Sequence, residues 1–150
     1  MKSYQAKQIA SYFIKKSDSE SENDLTNLKI QKMLYFAQAE FYKKNNEPLF
    51  IDSIEAWELG PVVYNVYQWL RGCGAYTISS FDVEIDYSGI TDKIQKFLDE
   101  IWEKYSKYSA SYLVEKTHDP NGPWHEAYIN RPNTVIDPSN LGSVKLHDEW

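Results

Sequence analysis

The stretch from residue 25 to residue 38 decides the fold, and it reads Leu25-Thr26-Asn27-Leu28-Lys29-Ile30-Gln31-Lys32-Met33-Leu34-Tyr35-Phe36-Ala37-Gln38. Its apolar residues repeat at intervals of three and four, and the stripe continues to Phe41, which is typical of a helix with one buried face. Thr26 or Asn27 is a suitable N-cap, and Asn45-Asn46 ahead of Pro48 ends the pattern. We therefore predict that this helix is the centre of the domain.

A Gly-Pro pair lies further along, in the segment Glu55-Ala56-Trp57-Glu58-Leu59-Gly60-Pro61-Val62-Val63. Pro61 suits the first turn of a helix, where its missing N–H would lack an intrahelical partner, and Gly60 permits a sharp change of direction. We predict a helix from Pro61 to about Arg71. Its inward residues are Val62, Val63, Val66 and Leu70. The residues from 49 to 57 are too few to distinguish a short strand from a helical turn.

Helical periodicity also marks most of the remaining chain. It predicts a first helix near residues 4 to 16, a long helix from about Ile90 to Tyr105 and a shorter one capped by Ser109. Pro123 should begin a last short helix, with Trp124 and Tyr128 near its surface. Residues 81–86 alternate apolar and acidic side chains, which fits either an edge strand or an extended connection. The predicted fold class is mainly α, a compact single-domain bundle of about five to seven helices with at most a minor β element.

The order of these blocks resembles the Panacea, or SocA-like, antitoxin domain family. A further block, with Leu113, Thr117-His118 and Pro123-Trp124, falls where that family carries a "TH…PW" signature. The resemblance covers about residues 5–130 of a single domain predicted to span residues 1–150. We expect an extended tail over about 131–150, which either packs over the domain or serves as an arm for a partner. The family-motif residues, to which we assign structural roles, are Leu28, Gln31, Lys32, Tyr35, Trp57, Gly60, Pro61, Val62, Tyr67, Thr117, His118 and Pro123.

Composition narrows the classes of partner. The chain has 150 residues and a net charge of −6, which repels phosphate backbones and argues against direct binding of nucleic acid. No stretch approaches the roughly 18 consecutive apolar residues that a membrane helix needs, and the first residues lack the apolar core of a signal peptide. A single cysteine cannot form an internal disulfide. We therefore expect a cytoplasmic protein without a membrane partner.

No motif indicates catalysis. Cys73 has no histidine or basic cluster near it in sequence to lower its pKa, and we interpret it as a small residue at a helix end. His118 and His125 lie seven positions apart across Pro120, Gly122 and Pro123, so they lack the i, i+4 spacing of a zinc pair. His118 more simply caps or braces the turn before Pro123 through hydrogen bonds. We predict no catalytic residue, no metal site, no cofactor and no enzymatic activity.

Aromatic residues are the unusual surplus. Twelve tyrosines and five tryptophans exceed what one small core must bury, and both side chains suit protein interfaces because they combine apolar area with a polar tip. Those within the family-like motif are expected in the core. The others near the predicted helix junction could gather into one patch. Our hypothesis for a toxin-binding surface is Tyr105, Tyr108, Tyr112, Trp124 and Tyr128.

The resemblance implies an antitoxin that neutralises a cognate protein toxin by direct binding, covering the toxin's active site. Such toxins include small alarmone-synthetase-like enzymes, so a nucleotide- or tRNA-directed enzyme is the expected partner. An alternative is an adaptor that delivers the toxin to an ATP-dependent protease, using a second surface such as the acidic loop 18–24 or the tail. A third alternative is an enzyme that reverses the toxin's product.

Overall fold

Helices account for most of the ordered chain. The structure is a computed structural model that describes residues 3–150. Within those residues the α-helices are α1 (Ala6–Asp18), α2 (Asn27–Asn45), α3 (Tyr64–Leu70), α4 (Asp92–Tyr105), α5 (Ala110–Thr117) and α6 (Pro123–Asn130). Strands β1 (Glu55–Trp57) and β2 (Gly60–Val62) form one antiparallel hairpin, and 3₁₀ helices lie at Arg71–Cys73, Pro138–Ser143 and His147–Glu149. The predicted fold class is confirmed.

Helix α2 is the centre of the bundle, as predicted. It packs against α1, α3, α4, α5 and the hairpin. The Thr26 side chain accepts a hydrogen bond from the Lys29 N–H at its start. At its end Asn46 takes a left-handed conformation with φ of 56°, which stops the helix. Nearly all of its first fifteen residues are buried, so α2 presents side chains to every neighbouring element.

The prediction for Pro61 is wrong. Pro61 lies in β2 opposite Ala56, and α3 begins at Tyr64. A proline fits this strand because, within residues 3–150, the outer edge of β2 pairs with no further strand, and the missing N–H of Pro61 therefore leaves no gap in a ladder. Side chains of α2 close that edge instead: the Val63 N–H donates to Gln31 Oε1 and Lys32 Nζ donates to the Pro61 carbonyl. The ambiguous segment before Trp57 thus ends in a short strand.

Residues 74–91 join α3 to α4 without regular structure. Residues 81–86, for which the sequence left an edge strand or an extended connection open, form no strand: they begin in a turn in which the Asp82 N–H donates to the Ser79 carbonyl and continue as irregular chain. The segment is fastened to the loop before α2, because the Ile78 N–H donates to the Leu25 carbonyl and Asn23 donates to the Ile78 carbonyl. Both Ile78 and Leu25 are buried. The acidic loop 18–24 and the connection therefore lie side by side.

Residues 131–150 pack back over the domain, which is one of the two arrangements that the sequence left open. The Ala56 N–H donates to the Thr134 carbonyl and the Ile136 N–H donates to the Ile54 carbonyl, so this segment lines the second edge of β1. Buried Leu141 and Val144 continue the contact with the core. In residues 3–150 no helix is both long and apolar enough to cross a membrane.

Candidate partner-binding site

A surface groove of about 590 Å³ lies where the start of α2, the hairpin, α3 and the start of α5 meet. We call it the motif groove, because six of its thirteen lining residues are ones that the sequence analysis placed in the family motif. Its lining residues are Thr26, Asn27, Leu28, Gln31, Lys32, Trp57, Glu58, Leu59, Val62, Tyr67, Gly74, Ala75 and Ala110. Most of these are apolar or aromatic, and Leu59 at the hairpin turn is 56% exposed.

The polar side chains of the groove floor bond to one another and to the backbone. Gln31 accepts from the Val63 N–H at 2.8 Å through Oε1 and donates to Asn27 Oδ1 at 3.0 Å through Nε2. Asn27 in turn donates to the Tyr67 carbonyl at 3.4 Å. Because buried amides with partners gain little from a new ligand, the floor sets the shape of the groove and leaves its apolar walls for contact.

Lys32 is fully buried beneath the groove. Its Nζ donates to the Pro61 carbonyl at 2.9 Å, and no carboxylate in residues 3–150 pairs with it. Burial away from water lowers the pKa of Lys32 to about 7, because the charged form loses its hydration. Near neutral pH this side chain therefore exchanges between an ammonium and a neutral amine that both hold the hairpin edge.

The low pKa of Lys32 makes stability depend on pH. Between pH 7 and pH 10.5 the unfolded chain holds the Lys32 proton and the folded chain does not, so raising the pH favours the folded state. We expect the free energy of unfolding to rise by about 2 kcal/mol from pH 7 to pH 9, at up to roughly 1.4 kcal/mol per unit. Urea unfolding at several pH values measures this rise.

The matched variant for this measurement is Lys32→Met, which keeps the length of the side chain and removes the titrating group. Its free energy of unfolding should lose the rise between pH 7 and pH 9, whatever its absolute stability. The window stays below the range in which tyrosines titrate, because their ordinary pKa is about 10. Equal slopes for the two proteins would show that Lys32 is not the group responsible.

A second polar layer lies behind the hairpin. The His118 ring stacks on the Trp124 ring with centroids 4.0 Å apart, and burial lowers the pKa of His118. Its Nε2 is buried without a hydrogen-bond partner in the described residues, so His118 braces this turn by stacking and not through a hydrogen bond from that nitrogen. The prediction that Trp124 lies near the surface is wrong. The Trp124 side chain is buried, and its Nε1 donates to the Trp57 carbonyl at 2.8 Å.

The five aromatic residues of the toxin-binding hypothesis do not form one patch. Trp124 and Tyr128 stack at 4.9 Å on α6, next to His118. The other three surround the Trp150 ring, which lies 5.7 Å from Tyr105, 5.3 Å from Tyr108 and 5.9 Å from Tyr112. We name this second cluster the aromatic slot, formed by Phe36, Tyr105, Tyr108 and Tyr112 around Trp150.

Exposure differs within these two clusters. Tyr105 and Trp124 are buried, whereas Tyr108, Tyr112 and Tyr128 are half-buried. The Tyr105 hydroxyl donates to Glu40 at 3.3 Å and accepts from the His147 N–H at 3.2 Å, and burial raises the pKa of Tyr105. A partner could reach Tyr105 only after the segment that carries Trp150 had moved. The binding role of all five residues stays a prediction.

Comparison with known proteins identifies the family. The family model described as "Antitoxin SocA-like, Panacea domain" matches residues 30–125, a range that contains most of the groove lining and, apart from Tyr128 and Trp150, the residues of the two aromatic clusters. This chain is a Panacea-domain protein of the SocA-like antitoxin family. The resemblance inferred from the sequence is thereby confirmed.

One relative of this Panacea-domain chain is Antitoxin SocA of Caulobacter vibrioides (strain NA1000 / CB15N), which is 31% identical over 121 residues. The alignment covers 75% of this chain and 64% of the relative, so the chain spans about two thirds of the length of the curated protein that it matches. No solved structure matches.

Sequence reasoning missed several residues that line the motif groove. Leu59, Ala75 and Ala110 line the motif groove, but nothing in their local sequence distinguishes them from ordinary surface residues. The one available signal was the Gly-Pro pair, which marks the turn that raises Leu59 beside Trp57. In residues 3–150 no three histidine, cysteine or acidic side chains are arranged to hold a metal ion.

Proposed function

We propose that this Panacea-domain protein is an antitoxin that neutralises a cognate protein toxin by direct binding. Its membership of the SocA-like antitoxin family supports the general role, and the name of its Caulobacter relative agrees with it. The motif groove supports binding as the mechanism, because an apolar surface concavity with a fully bonded polar floor is suited to hold apolar side chains of another protein.

The toxin surface expected in the groove is apolar at its centre and basic around it. The groove walls offer Trp57, Leu59 and Tyr67, which are residue types that supply contact area in interfaces. The chain as a whole carries a net charge of −6, which accelerates encounter with a basic protein. An enzyme that binds nucleotides or tRNA has such a basic surface around its active site, and covering that site would stop its activity.

Co-expression with the product of the adjacent gene tests this proposal. We expect growth to be restored, and an affinity-tagged antitoxin to copurify with the intact toxin in a stable complex. A matched control replaces the toxin by a catalytically inactive variant, which should copurify equally well since binding does not require its activity.

Other outcomes would favour the alternative functions. Restored growth with disappearance of the toxin, reversed when the host's ATP-dependent proteases are removed, would favour a proteolytic adaptor. Restored growth by a variant that no longer binds the toxin would favour an enzyme acting on the toxin's product. Absence of both rescue and binding would contradict the antitoxin proposal for that pair of proteins.

A further inference from the structure

The aromatic slot holds its own tryptophan almost entirely through ring contacts. The Trp150 ring lies 5.2 Å from Phe36, a fully buried residue of α2, and it also meets Tyr108 and Tyr112 on the other side. The indole N–H donates to the Lys145 carbonyl at 3.0 Å, which belongs to the same short segment. This hydrogen bond would move with the segment, so no indole hydrogen bond fastens Trp150 to the slot.

The remaining links between residues 145–150 and the domain are few. Glu149 lies 3.6 Å from Lys43 and Lys145 lies 4.0 Å from Asp119, both as partly exposed ion pairs. Exposed ion pairs of this kind contribute little to stability. One backbone hydrogen bond, from the His147 N–H to the Tyr105 hydroxyl, adds to these ion pairs, and the His147 ring and the partly buried Leu146 also pack against the domain. Val144 is the last fully buried residue, and within the segment itself the apolar side chains of Leu146 and Trp150 are only partly buried.

The walls of the slot do not depend on Trp150 in the same way. Phe36 and Tyr105 stack at 5.0 Å within the core, and Tyr108 and Tyr112 stack on each other at 4.9 Å. Lysines surround these rings: Lys107 lies 5.4 Å from the centre of Tyr108, and Lys116 lies 5.2 Å from that of Tyr112. Without Trp150 this arrangement would be an open aromatic surface whose rim carries Lys107, Lys116 and Lys145 together with Glu115 and Asp119.

The present occupant carries negative charge beside its ring. Trp150 follows Asp148 and Glu149 in sequence, and Glu149 lies 3.6 Å from Lys43. Lys116 also lies 5.7 Å from the centre of the indole ring, within the range of a cation–π contact. The occupant of the slot thus combines two features, a large aromatic ring and negative charge beside it.

We propose that the aromatic slot is a second partner-binding site, which takes an aromatic side chain flanked by acidic residues from the bound toxin and which Trp150 occupies in the free protein. This inference rests on the proposed function, because the partner is the toxin. Binding at the slot requires Trp150 to leave, so the free chain competes with its own partner and its apparent affinity is reduced by the fraction of closed molecules.

The test measures the affinity of the full chain for the toxin after substitution of either the occupant of the slot or one of its walls. Trp150→Ala empties the slot and should tighten binding by about tenfold, mainly through faster association. Tyr112→Ala removes a slot wall and should weaken binding by about tenfold. A purely structural role for this cluster would move both affinities in the same direction. The matched control is Trp69→Ala, a half-buried tryptophan that contacts Lys7 and not the slot, and it should leave the affinity unchanged.

A second measurement does not require the toxin and covers the case in which a variant folds poorly. A peptide with the sequence of residues 145–150 is added to the folded Trp150→Ala protein and to the natural chain, and the tyrosine resonances of the slot are followed by NMR. Binding to the variant alone shows that the slot is open and accepts this chemistry. Absence of binding to the folded variant, or Trp150→Ala affinity for the toxin equal to or weaker than that of the natural chain, overturns the proposal. Failure of the natural chain to bind the toxin would instead contradict the proposed function.

Discussion

Gly60→Ala should destabilise the protein by about 3 to 5 kcal/mol and lower its melting temperature by roughly 10–15 °C. Gly60 has φ of +106°, a backbone conformation that residues with a side chain rarely adopt. A methyl group added there would lie 2.6 Å from Thr117 Oγ1 and 2.9 Å from Lys32 Cε. Neither neighbour has room to withdraw, because Thr117 donates to the Val114 carbonyl and Lys32 donates to the Pro61 carbonyl.

Gly72→Ala is the matched control for this substitution. Gly72 has no atom within 4 Å of an added methyl group and lies outside the left-handed region, so its replacement should leave the melting temperature nearly unchanged. Thermal unfolding followed by circular dichroism compares the two variants with the natural chain. If Gly60→Ala melted within a few degrees of the natural protein, the close packing of the hairpin turn on Lys32 and Thr117 would be incorrect.

Elements with local signals could be predicted from the sequence. Helix α2 is the best case, because its apolar stripe, its Thr26 cap and its Asn45-Asn46 stop all lie within the helix or next to it. Ser109 at the start of α5 and Pro123 at the start of α6 are correct for the same reason. Each of these signals depends on hydrogen bonds between residues close in sequence, which the sequence displays directly.

The position of Pro61 could not be predicted from local sequence signals. A proline after a glycine fits the first turn of a helix and an unpaired strand edge equally well. The choice depends on Gln31 and Lys32, which reach across from α2 to bond β2 and Val63. Those contacts join residues about thirty positions apart. The pattern of apolar residues in either segment does not indicate them.

The candidate sites depend on contacts between residues still further apart in sequence. Sequence reasoning selected the aromatic surplus near residues 105–128 as one patch, whereas the structure separates it into two clusters. That separation follows from Trp150, which returns from the end of the tail to lie against Phe36 and Tyr108. The motif groove likewise combines five separate segments of the chain. Family resemblance indicated six of the thirteen groove residues, and only the packing of the chain adds the others and separates the groove from the slot.

Leu59→Asp should weaken toxin binding about 100-fold, equivalent to roughly 3 kcal/mol, and abolish growth rescue in co-expression. Leu59 is 56% exposed at the hairpin turn, so the substitution removes no core contact and the protein should fold normally. In the complex proposed above, its side chain would be covered by apolar groups of the toxin. A carboxylate at that position would lose its water without gaining a partner, which is costly.

Ile129→Asp provides the matched control for the groove. Ile129 is 66% exposed on α6 and does not line the groove, so this variant introduces the same charge at an equally apolar surface position. It should bind the toxin as the natural chain does, which isothermal titration calorimetry of all three purified proteins would establish. Equal weakening by both substitutions would show that the loss is not specific to the groove. Unchanged affinity of folded Leu59→Asp would remove the groove from the interface and leave the aromatic slot as the surface to which the toxin must be mapped.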